Sequence, residues 1–216
     1  MIVLEQYETI RQKHGDYASW AVWAVASEKP KSNIGDMSVF DVEANPSLLS
    51  TLKPNVVMAG LNSSRSLAFD QPFRNFHDRN PRAQDFKIRY AFTGTPYYGA
   101  YMTDIIKNVE MGDSKDLLDH LKASPHLIEE NVQAFRRELH DLNGGKPTIL
   151  AFGVTAHRLI AESVPATEYA RLVRLTHYSH QIGKEAYREM VLAQLVSRNA
   201  PDRVGVVLQC ERGATG

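Results

Sequence analysis

The sequence predicts an α/β domain in which helices cover both faces of a central four-stranded, mainly parallel sheet, giving three layers. Four short apolar runs bounded by glycine or proline are typical of buried strands. Helical patterns separate these runs, so each connection is long enough for the crossover that parallel strands require. A length of 216 residues, with 43% hydrophobic and 23% charged side chains, is that of an ordinary single globular domain.

The predicted strands cover residues 55–60, 98–103, 148–153 and 171–176. Predicted helices cover 124–142, 155–163 and 184–197, and the first of these places its apolar residues along one face. A further helix is predicted over 17–26, with Trp20 and Trp23 on one side of it; packing in the core is favoured over a base-stacking function for the two rings.

These elements predict one domain over residues 1–216, with its core at about 54–197. An N-terminal helical segment (1–53) precedes the core, and residues 66–96 form an insertion between the first two predicted strands. Residues 198–216 add an edge strand or trail as a tail. The sequence does not indicate an oligomeric state.

Composition excludes several classes of protein. No run approaches the about 20 apolar residues needed to span a bilayer, and the N-terminus turns polar too early for a signal peptide. We therefore expect a cytoplasmic protein without a membrane partner. The single cysteine, Cys210, excludes an internal disulfide and a four-cysteine metal cluster. No HExxH spacing is present, and we expect neither a metal nor a cofactor.

Charge is balanced overall but unevenly distributed. The chain carries 25 basic and 25 acidic residues. Residues 65–89 nevertheless hold six basic side chains against three acidic ones, and acidic residues dominate 110–141. Two interpretations stay open: a basic face that attracts nucleic acid, or a normally solvated mixed surface.

Polar residues follow the first and the last predicted strand. Asn62 to Arg65 come after the first, and His177 to Gln181 come after the fourth. Functional side chains gather at the carboxyl ends of parallel strands, so these segments are candidates for a site. Taken singly, each segment is equally typical of an ordinary turn.

Four segments together resemble the uracil-DNA glycosylase superfamily in their order and spacing: VVMAGLNSS, YYGAYMTDIIKN, TILAFGVTAHRLI and RLTHYSHQ. They span about residues 54–197. Two departures from the family pattern are the missing proline after Asn62 and the sequence His-Tyr-Ser, in place of His-Pro-Ser, at His177.

The resemblance implies a DNA glycosylase that hydrolyses the N-glycosidic bond of a damaged or modified base flipped out of DNA, leaving an abasic site. It assigns Asn62 to orient the attacking water and His177 to donate a hydrogen bond to the departing base. The base-binding residues it implies are Gly60, Leu61, Phe76 and Asp104. The DNA-binding residues it implies are Ser63, Ser64, Arg65, Ser179, His180 and Gln181.

Asp104 stands where many members of the superfamily have asparagine. An ionised aspartate only accepts hydrogen bonds, so it suits the exocyclic amine of a cytosine-like base better than uracil O4. The alternative is that Asp104 caps a helix beginning at Ile105. Two other functions stay open: a non-catalytic DNA-binding relative, and a hydrolase of free nucleosides or nucleotides. The sequence does not decide between repair and antiviral defence.

Overall fold

The computed structural model describes residues 2–63, 71–107, 109 and 114–197. Its strands are β1 (Ser19–Trp20), β2 (Lys53–Asn62), β3 (Ala100–Ile106), β4 (Thr148–Phe152) and β5 (Arg171–Leu175). Its α-helices are α1 (Leu4–His14), α2 (Leu48–Thr51), α3 (Asp85–Phe92), α4 (Ser114–Ala123), α5 (Pro125–Asp141), α6 (Val154–Ser163) and α7 (Lys184–Val196). A short 3₁₀ helix covers Met37–Phe40.

The strands form one mixed sheet in the order β1-β3-β2-β4-β5. Strands β3, β2, β4 and β5 are parallel, and β1 pairs antiparallel with β3 at one edge. The α/β class and the four predicted strands are confirmed. The sheet differs from the prediction by the additional short strand β1, which makes it five-stranded within the described part of the chain.

Side chains of the central strands alternate between two hydrophobic clusters, one on each face of the sheet. Tyr101 and Ile149 belong to the cluster that also contains buried residues of α1, α5 and α6. Met102 and Leu150 belong to the second cluster, with residues of α3 and α7. Helices therefore pack on both faces of the sheet. We call these sides the α5 face and the α3/α7 face.

The helix predicted over 17–26 is wrong, because this segment is extended and contains β1. Ser19 and Trp20 pair with Met102 and Tyr101 of β3, a long-range contact that local spacing does not report. Trp20 is fully buried on the α5 face, whereas Trp23 is 4% exposed on the α3/α7 face. The prediction that both tryptophans pack in the core is confirmed, but they lie on opposite faces.

The structure differs from the prediction in two further segments of the chain. Strand β3 continues to Ile106 rather than ending at 103, so Asp104 lies inside a strand and does not cap a helix. The predicted insertion contains α3, which the apolar pattern did not reveal. The segment 198–216, expected to be an edge strand or a tail, lies outside the described residues.

Within the described residues, no helix has the length and apolarity needed to cross a membrane. The same residues contain no group of three or more His, Cys, Asp or Glu side chains that would hold a metal ion.

Candidate active site

A small cleft of about 180 Å³ lies at the carboxyl ends of the parallel strands. Strand β2 contributes Asn62 at its last position, β3 contributes Asp104, and the segment after β5 contributes Tyr178. The rest of its wall comes from Ser63, Ser179 and residues between 75 and 85. The cleft is thus formed where open parallel sheets commonly bind ligands.

Asp104 lies directly beside Gly60, its partner in the β2–β3 register. A Cβ at position 60 would be 2.1 Å from Oδ1 of Asp104, so only glycine leaves room for this carboxylate. Asp104 is 5% exposed and lines the cleft. In the described part of the chain no residue donates a hydrogen bond to its Oδ1, which leaves this oxygen for a ligand.

Asn75 fixes the other oxygen of Asp104. Its amide nitrogen donates to Oδ2 of Asp104 at 3.0 Å and to the carbonyl of Tyr17 at 2.7 Å. Its amide oxygen accepts a hydrogen bond from the backbone N–H of Phe76 at 3.0 Å. The side chain of Asn75 is therefore oriented by three partners and holds the carboxylate in one position.

Burial raises the pKa of Asp104 to about 6. The hydrogen bond from Asn75 and the positive charge of Lys107 act in the opposite direction and offset part of this effect. The ammonium of Lys107 donates to the carbonyl oxygen of Asp104 at 2.7 Å and pairs with Glu138 at 2.7 Å. At neutral pH the carboxyl group is therefore mostly ionised, and its protonation state changes near pH 6.

Phe76 closes one side of the cleft in an unusual backbone conformation. Its φ is +65°, a region in which a bulky residue costs about 1–3 kcal/mol. Its ring is 4% exposed and meets the ring of Tyr178 edge-on, with centroids 6.4 Å apart. Such strain is common at binding sites, where the surrounding contacts maintain it. Here the hydrogen bond to Asn75 helps to hold Phe76 in place.

Asn62 is the last residue of β2 and lines the cleft. Its amide nitrogen donates to the carbonyl of Val109 at 3.1 Å and to that of Ser63 at 3.0 Å. The first bond connects β2 to the chain that follows β3. These two contacts set the orientation of the amide, because an amide oxygen in the same place would repel both carbonyls.

His177 lies next to the cleft rather than in its wall. Its ring stacks on Tyr178, with centroids 4.3 Å apart, and Tyr178 forms the wall. The backbone N–H of Ser179 donates to Nδ1 of His177 at 3.2 Å, so in the neutral ring the proton is on Nε2. Burial lowers the pKa of His177 to about 4, and the ring is neutral at pH 7.

The other predicted site residues divide into three groups. Ser63 and Ser179 line the cleft. The side chain of Leu61 packs into the core of the α5 face, and His180 and Gln181 are exposed beyond the cleft. Ser64 and Arg65 lie outside the described residues.

Asn75, Tyr178 and the lining residues between 78 and 85 were not predicted from the sequence. Asn75 is separated from Asp104 by 29 positions, and only the folded chain brings them together. Tyr178 lies inside the RLTHYSHQ segment, so its position was a signal that could have identified it. Burial holds the pKa of Tyr178 well above its ordinary value, so its hydroxyl is a hydrogen-bond donor at neutral pH.

Comparison of the chain with protein-family models, with curated proteins and with solved structures found no match.

Proposed function

We propose that this chain is a monofunctional DNA glycosylase that releases a modified or damaged base from DNA and leaves an abasic site. One observation carries the proposal: Asn62, Phe76 and Asp104, assigned by resemblance to water and base binding, line the same cleft. They come from three segments of the chain that are far apart in the sequence.

The chemistry of base release matches the groups around the cleft. Breaking an N-glycosidic bond develops positive charge on the sugar and negative charge on the departing base. Asn62 would orient the water that attacks the sugar. The Nε2–H of His177 and the hydroxyl of Tyr178 are neutral donors for the base anion. Because the base is hidden in stacked DNA, the nucleotide must be flipped into the cleft first.

Asp104 favours a base that carries an exocyclic amine, such as a modified cytosine, over uracil. Its carboxylate lines the cleft and, when ionised, accepts a hydrogen bond from an amine but repels a carbonyl oxygen. The cleft of about 180 Å³ is also small compared with the 300–1,000 Å³ typical of pockets for larger ligands. A one-ring base fits these features better than a base with a large substituent.

The test is abasic-site formation on DNA containing uracil, hypoxanthine, mismatched thymine, cytosine, hydroxymethylcytosine or glucosylated cytosine. We expect release of an amine-bearing one-ring base by the wild type. Asn62→Ala should reduce its rate about a hundredfold, in the range for loss of a group that activates water. Asp104→Asn should shift the preference about tenfold toward uracil. The exposed Asp16→Asn variant is the matched control and should behave as the wild type.

Three outcomes would contradict the proposal. An unchanged base preference in Asp104→Asn would remove Asp104 from base recognition. Bound DNA without release of any base would favour a non-catalytic relative. Release from free nucleosides but not from DNA would favour a nucleoside hydrolase, and parallel reactions with free nucleosides detect it.

A further inference from the structure

A second cavity, of about 540 Å³, lies next to the cleft on the α3/α7 face. We call it the aromatic groove. It is enclosed by residues 23–30, one side of α3 and the first turns of α7. The partly exposed rings of Phe86, Tyr90 and Tyr98 line it, and the side chain of Val25 at its rim is 85% exposed. Most of its lining is apolar, which is unusual for an open surface.

The aromatic groove and the cleft are neighbours along one helix. Asp85, the first residue of α3, lines the cleft, and the next residue, Phe86, lines the groove. Lys31 contacts the walls of both the cleft and the groove. Its ammonium donates to the carbonyl of Ala83 in the cleft wall and lies 5.0 Å from the centroid of the Phe86 ring. The first turn of α3 therefore borders both the cleft and the groove.

The groove carries more positive than negative charge, because Arg89, Lys184 and Arg188 line it against the single carboxylate of Glu28. Arg89 donates to the carbonyls of Ala24 and Pro30, at 2.8 and 2.7 Å. Arg188 donates to three carbonyls at the end of α3, at 2.7 to 3.1 Å. Among the described residues, no carboxylate forms an ion pair with Lys31, Arg89 or Arg188. Carbonyl oxygens satisfy these N–H groups and fix their positions, but they do not cancel the charge.

We propose that the aromatic groove binds the single-stranded DNA adjacent to the nucleotide held in the cleft. This inference rests on the proposed function in taking the cleft as the base site. Single-stranded nucleic acid is bound by exposed rings that stack on bases and by cations that follow the phosphates, and the groove combines both. In a duplex the bases are paired and stacked on each other, so the rings would have no partner. The groove thus selects unpaired DNA.

The test is fluorescence anisotropy with a labelled single-stranded oligonucleotide that contains no excisable base, and with the duplex of the same sequence. We expect tighter binding of the single strand. Tyr90→Ala should weaken it about fivefold or more, and Tyr90→Phe, which keeps the ring, should bind as the wild type. The variant Lys31→Gln should lower the dependence of log affinity on log salt by about 0.7.

Arg137→Gln and Arg158→Gln remove exposed cations from the α5 face and are the matched controls. They should leave binding unchanged, and thermal unfolding confirms that each variant is folded. Tighter binding of duplex, equal losses in the controls, or unchanged binding by folded Tyr90→Ala would overturn the inference. Because binding is measured without an excisable base, it is independent of catalysis. Asn62→Ala, which is about a hundredfold slower under the proposed function, should still bind the single strand.

Discussion

Burial affects two titratable side chains of this protein in opposite directions. Burial disfavours the ionised carboxylate of Asp104 and raises its pKa to about 6. His77 is fully buried between the rings of Trp23 and Phe40, with centroids 5.3 and 5.1 Å away. Burial lowers the pKa of His77 to about 3. In both cases burial disfavours the charged form of the side chain.

The two groups therefore contribute oppositely to stability as pH changes. Because burial raises the pKa of Asp104, its ionisation lowers the free energy of unfolding. This loss begins as pH rises past 3.8, the ordinary carboxyl value, and is complete above about 6. His77 has the reverse effect, since the unfolded chain binds a proton below pH 6.5 and the folded chain does not until about pH 3. Stability from neutral His77 is thus complete above pH 6.5 and is lost as pH falls.

We predict that His77→Leu removes a specific acid sensitivity. The free energy of unfolding, wild type minus variant, should be constant above pH 6.5 and fall by about 1.4 kcal/mol per pH unit below it. At pH 5 the loss is about 2 kcal/mol. Urea unfolding of both proteins between pH 7 and 5 measures this difference. The contribution of Asp104 to the free energy of unfolding cancels, because both proteins contain Asp104. A difference that stays constant over this range would show that His77 is protonated without cost.

At the scale of elements, the pairing of β2 with β3 creates the candidate site. Gly60 and Asp104 are register partners, and the carboxylate occupies the space that a side chain at 60 would fill. We predict that Gly60→Ala destabilises the fold by about 1–3 kcal/mol, as overpacking does. In an Asp104→Ala background the same change should cost almost nothing, a coupling that a double-mutant cycle from urea unfolding measures. An equal cost in both backgrounds would place the clash elsewhere.

The elements also show how far the sequence was informative. Strands β2, β4 and β5 and helices α5, α6 and α7 follow from apolar patterns that are local in the chain. Strand β1 could not be predicted in this way, because its two residues are extended through pairing with β3, more than 80 positions away. The three-residue spacing of Trp20 and Trp23 resembles one side of a helix. In the fold, the extended chain directs these rings to opposite faces.

The same distinction applies to the site. Asn62 was predicted from its position at a strand end and from the resemblance, and Asp104 from the resemblance. Asn75 could not be predicted, since its function depends on a hydrogen bond formed between distant segments. The resemblance implies Phe76 only through its aromatic ring. Its positive φ and its bond to Asn75 are consequences of tertiary contacts that no local pattern encodes.

At the scale of the whole molecule, the sheet couples two hydrophobic clusters that do not otherwise form one core. Met58 and Leu150 are register partners in the two innermost strands, and both are fully buried on the α3/α7 face. Their neighbours Val57 and Ile149 are fully buried on the α5 face. Neither cluster can be exposed without disrupting the strands that carry the other, so we infer that the molecule unfolds cooperatively.

We predict that native-state hydrogen exchange reports this coupling. The amides of Met58 and Leu150 should exchange only through global unfolding, with one opening free energy of about 5–15 kcal/mol that decreases equally with urea. The amides of exposed residues 25–29 at the wall of the aromatic groove should exchange through local opening, insensitive to low urea concentrations. A lower opening free energy for amides of one face would contradict a single cooperative unit. These amides belong to strands that both clusters cover, so their opening free energy is that of global unfolding. No amide of the candidate site can have a larger one.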